Sequence, residues 1–198
     1  RGLHTTASGN SQQNRVTPDW ADTVTRETPS EAIYLYDCDQ DRWLSPTWEP
    51  LRDPEASYHV DYSVDGTATF AMSRPGVSTK LTLFVPRDEP AGVYRLTIRN
   101  EKNRPRRFRV APYFQITLAD MPENAGSLKI RHDEATNALY FRNPRNTFRQ
   151  GVAFAGMTTE VSQVETARGR FFGENAASSH PAMVAEGAAQ ADAADSAP

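Results

Sequence analysis

From Arg107 to Leu118 apolar and polar positions change places at every residue, a pattern few folds can use. Phe108, Val110, Pro112, Phe114, Ile116 and Leu118 alternate with Arg107, Arg109, Ala111, Tyr113, Gln115 and Thr117. A period of two gathers the apolar set on one face of a strand, whereas a helical turn would scatter it over every face. Tyr94, Leu96 and Ile98 repeat the pattern against Arg95, Thr97 and Arg99. The polar link Asn100–Pro105 between the two runs predicts a long hairpin. Pro112 cannot donate to a ladder, so the longer strand is expected to bulge there or to lie at a sheet edge.

Other segments read the same way. Glu31–Asp37 is rich in β-formers and bounded by Thr28-Pro29-Ser30. Asp39-Gln40-Asp41 is expected to turn the chain back through Trp43 and Leu44. Strands are expected at Tyr58–Val64, Thr67–Ser73 and Val77–Val85, with Asp65-Gly66 and Pro75-Gly76 as turns. Leu128–Arg131, Leu139–Arg142 and Val152–Met157 follow, separated by Asp133–Asn137 and Asn143–Asn146. No long helix is expected before residue 181. Many short strands with turn signals between them predict an all-β, antiparallel sandwich over residues 1–184. Residues 185–198, poor in anchoring side chains, read as an Ala-rich flexible tail.

Charge and composition exclude several functions. The formal net charge of −3 gives no general attraction to nucleic acid or to an anionic membrane. No apolar run approaches the roughly 20 residues of a spanning helix, and no secretory leader pattern opens the chain. The lone cysteine, Cys38, excludes an internal disulfide and makes a reducing, cytoplasmic compartment the expectation. Cys38 itself reads as a small buried or half-buried side chain.

The most suggestive functional segment is Ser8–Trp20, crowded with side-chain amides, with one arginine and a terminal tryptophan. Sugar hydroxyls donate and accept at once, and so do Asn and Gln side chains. Asn10, Gln13, Asn14 and Arg15 are therefore candidate sugar contacts. Trp20 and Trp48 are candidate platforms for the apolar face of a pyranose. The plainer alternative is a solvated loop whose polar groups bind water and turns.

Other constellations carry less. Asp37, Asp39 and Asp41 open like a calcium loop, but Arg42 stands where the loop needs glycine and Trp48 where it needs glutamate. A hairpin turn is the expectation. His59 and Asp61 share a strand face, yet zinc wants more ligands than two. No metal site or cofactor is expected. Arg104, Arg106, Arg107 and Arg109 form the one basic cluster, and a phosphate or nucleic-acid patch is the alternative. The net charge is negative, however, and Arg107 and Arg109 already form the outward face of the alternating strand, so a solvated face is the expectation. No Gly-x-Ser-x-Gly nucleophile or paired carboxylate stands out.

Several segments form a colinear set: Gly9 through Trp20, Ala32–Asp37, Ser45-Pro46-Thr47-Trp48-Glu49-Pro50, Leu83–Pro86, Arg95–Asn100, Tyr140–Pro144, Gly151–Ala155 and Arg170-Phe171-Phe172-Gly173. In this order they resemble the N-terminal β-sandwich of glycoside hydrolase family 94, formerly glycosyltransferase family 36. That family comprises glucoside phosphorylases and cyclic glucan synthase modules, and the likeness spans residues 8 to 187. Gln13 stands where the family usually has glutamate. The resemblance implies a galactose-mutarotase-like super-sandwich, incomplete here. It also implies a sugar-binding and scaffolding role beside a catalytic (α/α)6 barrel that this chain lacks. The partners so implied are a β-linked glucoside or glucan, that barrel, and a second copy in a homodimer. Inorganic phosphate would be a co-substrate of the whole enzyme, and this chain alone would be inert, marginally stable and self-associating. The competing reading is a free-standing carbohydrate-binding or adhesion sandwich.

Overall fold

The computed structural model describes residues 31–119, 124, 126–146, 151–173 and 179–186, and the backbone alone of 3–5 and 11–13. The strands are β1 (Leu3–Thr5), β2 (Ser11–Gln13), β3 (Glu31–Asp37), β4 (Arg42–Leu44), β5 (Ser57–Tyr62) and β6 (Ala68–Arg74). They continue with β7 (Val77–Phe84), β8 (Val93–Asn100), β9 (Phe108–Phe114), β10 (Lys129–Asp133), β11 (Ala138–Arg142) and β12 (Ala153–Gly156). Two short helices are α1 (Arg168–Phe172) and α2 (Ala182–Glu186). All strand pairings are antiparallel: β5-β6-β7-β8, β4-β3-β9, β10-β11-β12 and β1-β2. The expected mostly-β, antiparallel architecture is what forms.

The four-stranded sheet is the simplest to derive. Val77, Thr79, Leu81 and Leu83 of β7 are buried, and Ala68, Phe70 and Met72 of β6 join them on one face. Lys80 points to solvent from the other face. The turn Pro75-Gly76 joins β6 to β7 with Gly76 at φ +88°, a left-handed conformation that glycine adopts without strain. A side chain there would also collide with Lys102.

Strand β3 differs, because both of its faces are buried. Ile33 and Leu35 join Leu44 and the apolar face of β6 and β7 in the main core, with Phe108 and Val110 packed alongside. Ala32 and Tyr34 turn the other way, into a second core with Phe171, Phe172 and Val184. Tyr34 is fully shielded, its ring edge-on to Phe171 and Phe172 at 6.0 and 6.3 Å. Helices α1 and α2 thus cap the outer face of the β4-β3-β9 sheet. Gly173, at φ +89°, ends α1 by donating its N–H to the Gly169 carbonyl at 2.8 Å.

Several expectations need correcting. The alternating runs 94–99 and 107–118 do not form a hairpin. Strand β8 pairs with β7 and β9 pairs with β3, so Asn100–Arg107 crosses between two packed layers. The main core explains the difference: the apolar faces of β8 and β9 meet across it, where a hairpin would set them side by side. Strand β9 also stops at Phe114, and Leu118 takes a left-handed φ of +48°. Pro112 pairs opposite Ile33 in unbroken register on an edge strand, so the edge alternative holds rather than the bulge.

The arginine cluster is not a uniformly solvated face. Arg104 and Arg107 are exposed as expected, but the Arg106 side chain is 0% exposed and ion-paired with Asp37, also 0% exposed. Arg106 also donates to the Gly76 carbonyl at 2.7 Å and lies 4.9 Å from the Phe108 ring centre. One guanidinium thereby joins the end of β3, the β6–β7 turn and the crossover. Arg109 lies 5.8 Å from the Tyr36 ring centre and donates to the Val184 carbonyl at 3.2 Å. It stays exposed, as expected, while its guanidinium reaches the end of α2. That helix runs through Ala185 and Glu186, where the tail was expected to begin, and residues 187–198 lie outside the described ones.

Removing one member of a buried ion pair strands the other, which typically costs about 3–5 kcal/mol. Arg106→Leu should therefore lower stability to denaturant by about that much, and the double change Asp37→Leu/Arg106→Leu should restore a large part of it. A loss below about 1 kcal/mol for the single change would show that the pair does not hold the layers together.

Candidate functional site

The loop Ser45–Pro50 is built to hold one indole outward. The Ser45 and Thr47 hydroxyls donate to the Glu49 carbonyl at 3.2 and 2.6 Å, and the Thr47 N–H donates to Ser45 Oγ at 3.3 Å. All three residues are buried, so these bonds are made away from water. The Glu49 carboxylate accepts from Arg52 Nε at 2.6 Å, and the Arg52 N–H donates to the Trp48 carbonyl at 2.7 Å. Trp48 is left 37% exposed, its ring edge-on to Tyr58 at 5.6 Å. Tyr58 in turn packs on the main core. Behind it Arg74 is ion-paired with both Asp53 and Glu55. The result is a rigid, half-exposed aromatic shelf of the kind on which a sugar ring can stack.

Of the candidate sugar contacts, the structure describes the side chain of Trp48 alone. Gln13 lies in β2 with its backbone opposite Leu3, and β2 sits against β3. Asn10, Asn14, Arg15 and Trp20, with the Gln13 side chain, lie outside the described residues.

The aspartates at 37, 39 and 41 form the expected hairpin turn. Asp37 Oδ1 accepts from the Asp39 N–H at 3.1 Å, Asp39 Oδ2 accepts from the Arg107 N–H at 2.6 Å, and Asp41 accepts from the Tyr36 hydroxyl. Among the described residues no group of three or more His, Cys, Asp and Glu side chains converges as a metal cage. His59 and Asp61 are both exposed on β5. Cys38 is half-buried, as expected, with its thiol 3.8 Å from the Tyr36 carbonyl.

A second aromatic surface was not legible from the sequence. Tyr36 and Trp43 pack at 5.2 Å on neighbouring strands, with His180 edge-on to Trp43 at 5.7 Å. Tyr113 stacks on Phe171 at 5.4 Å, and its hydroxyl accepts from Arg168 Nη1 at 2.5 Å. Its contributors come from three separate stretches of the chain, around residues 36–43, 113 and 168–180, and the adjacent pair Phe171-Phe172 was the one local hint.

Burial pushes the Tyr58 hydroxyl up to about 12, with the negative charge of Asp53 adding to the effect. An acid whose folded pKa is raised contributes stability that is complete below its unfolded pKa, about 10, and is lost as pH climbs toward the folded value. Tyr58→Phe should therefore shrink the loss of stability between about pH 10 and 12, followed by denaturant unfolding at each pH. An unchanged alkaline limb would contradict the placement of Tyr58.

The comparisons with known proteins agree with this architecture. The family model described as the glycosyl hydrolase 94 supersandwich domain matches residues 1–196. A cyclic β-(1,2)-glucan synthase of Rhizobium meliloti is 26% identical over 196 residues, 94% of this chain and 7% of that protein. An N,N'-diacetylchitobiose phosphorylase of Vibrio furnissii is 28% identical over 110 residues, 54% of this chain and 14% of that protein. Another, from Vibrio proteolyticus, is 22% identical over 187 residues, 89% of this chain and 23% of that protein. The chain thus spans less than a quarter of the length of each of these relatives. It belongs to the glycosyl hydrolase 94 family, as a supersandwich domain.

Proposed function

We propose that this chain is a carbohydrate-binding and scaffolding domain of a β-glucoside phosphorylase or a cyclic glucan synthase-like glycosyltransferase. The observation that carries the reading is the family match over nearly the whole chain, together with relatives named for glucan synthesis and chitobiose phosphorolysis. Trp48 supports it as a rigidly held ring of the type that stacks on pyranoses. In this reading Asn10, Gln13, Asn14 and Arg15 supply hydrogen bonds to sugar hydroxyls, and Trp20 with Trp48 supplies the apolar contacts.

Bond cleavage belongs elsewhere in such an enzyme. Inverting phosphorolysis needs an acid to protonate the leaving glycosidic oxygen while phosphate attacks the opposite face of the sugar. The carboxylates around the Trp48 shelf are anchors instead: Glu49 holds Arg52, and Asp53 and Glu55 hold Arg74. Inorganic phosphate would then be a co-substrate of the complete enzyme and not a ligand of this domain.

Calorimetric titration with sophorose, cellobiose and longer β-1,2-glucans tests the reading. Wild type should bind at least one of them, and Trp48→Ala should weaken that binding about three- to tenfold, the worth of one stacked ring. No binding by wild type, or identical isotherms for the two proteins, would contradict it.

A further inference from the structure

The sheet β10-β11-β12 has two unlike faces. Phe141 belongs to one of them and is buried. The other carries Lys129 and Arg131 from β10, Tyr140 and Arg142 from β11, and Phe154 from β12, all exposed except the half-buried Tyr140. Lys129 stands opposite Arg142, while Arg131, Tyr140 and Phe154 stand opposite one another on successive strands. Together with Val152 they line a shallow groove of about 550 Å³, within the size range of small-ligand sites.

Charge and apolar surface are sorted across this groove. The three cations sit on β10 and β11, with Cα atoms roughly 5–8 Å apart by strand geometry. Among the described residues no carboxylate pairs with any of them. Asp133, the one carboxylate on the same face of β10, accepts from the Thr136 hydroxyl at 2.6 Å. Arg131 lies 5.5 Å from the Tyr140 ring centre, which holds its guanidinium at the boundary between charge and ring. The β12 side is apolar, with Phe154 65% exposed and Val152 59% exposed. A face that only meets water mixes both signs of charge and needs no exposed ring.

We propose that this groove binds a phosphorylated pyranose. A phosphate group offers three terminal oxygens, one for each of Lys129, Arg131 and Arg142, whereas a carboxylate offers two. The sugar ring attached to it would lie about one strand spacing away, roughly 5 Å, over Tyr140 and Phe154, whose ring faces suit the apolar face of a pyranose. Both halves of the ligand are needed. Solvent-exposed cations hold a lone anion weakly, and a neutral sugar leaves them unused. A free sugar phosphate and a phosphate-bearing glucan offer the same chemistry, and the test separates them. The groove shares no residue with the Trp48 shelf.

Calorimetric titration of the full chain with glucose 6-phosphate, inorganic phosphate and glucose in parallel tests the proposal. Glucose 6-phosphate should bind at least about tenfold more tightly than either of the others. Arg142→Gln should weaken both phosphate-bearing probes about tenfold, the worth of one charge-assisted hydrogen bond. Phe154→Ser should weaken glucose 6-phosphate about three- to tenfold and leave inorganic phosphate unchanged, which a general loss of folding would not do. Trp48→Ala should alter neither, so failure here is separate from failure of the sugar shelf. A glucose oligosaccharide bearing one 6-phosphate that binds more tightly than glucose 6-phosphate names a glucan as the source. Weaker binding names the free sugar phosphate, and either ranking upholds the groove. No binding of glucose 6-phosphate, binding no tighter than that of inorganic phosphate, or isotherms unmoved by Arg142→Gln overturns the proposal.

Discussion

Strand β3 is held by both faces and at both ends. Its odd-numbered side chains enter the main core and its even-numbered ones enter the second core under α1 and α2. At its start Glu31 accepts from the Tyr94 hydroxyl of β8, and at its end Asp37 is ion-paired with Arg106. Both carboxylates lie on the face of Ile33 and Leu35, so each reaches the layer that those residues pack against. A slip of one residue would turn Glu31 and Asp37 toward Tyr34's aromatic cluster and bring Tyr34 into the space of Ile33 or Leu35. Buried charge without a partner and an overfilled core would both oppose it.

The rest of the domain follows from that strand. Because β3 needs partners on either side, β9 crosses from the end of β8 to pair with it, and β4 returns from the Asp39–Asp41 turn. The crossover brings Arg106 back over Gly76, which fixes the β6–β7 turn beneath it. Strand β4 then delivers the chain into the buried Ser45–Glu49 network, whose outward residue is Trp48. The candidate sugar shelf is therefore positioned by the core through only a few bonds, which suits a group that must meet a ligand without reorganising.

How much of this the sequence discloses depends on whether one face of a strand meets water. Strands β6, β7 and β8 alternate cleanly because their outer faces are solvated, and their positions were legible to within two residues. The alternation of β9 was legible as a strand, but its partner was not. A polar link such as Asn100–Pro105 suits a hairpin turn and an interlayer crossover equally well. Arg106 looked like its arginine neighbours because charge carries no mark of burial; its role depends on Asp37, 69 residues away. The second core escaped notice for the same reason, being assembled from Tyr34, Tyr113 and Phe171 only when the chain folds. At the site, Trp48 was legible as a ring worth exposing, whereas the Ser45–Thr47–Glu49 network that stiffens it was not.

In the proposed role this domain serves glycoside chemistry by geometry, with a stiff frame and an outward ring. Its stiffness rests on β3 opening only when the whole sandwich opens. Native-state hydrogen exchange reads this directly. The amides of Glu31–Asp37 should exchange last, together with those of Thr79–Leu83 in β7, at the free energy of global unfolding. Exchange of β3 well ahead of β7 would show that the two layers open independently, and that the paired carboxylates and double burial do not govern the fold.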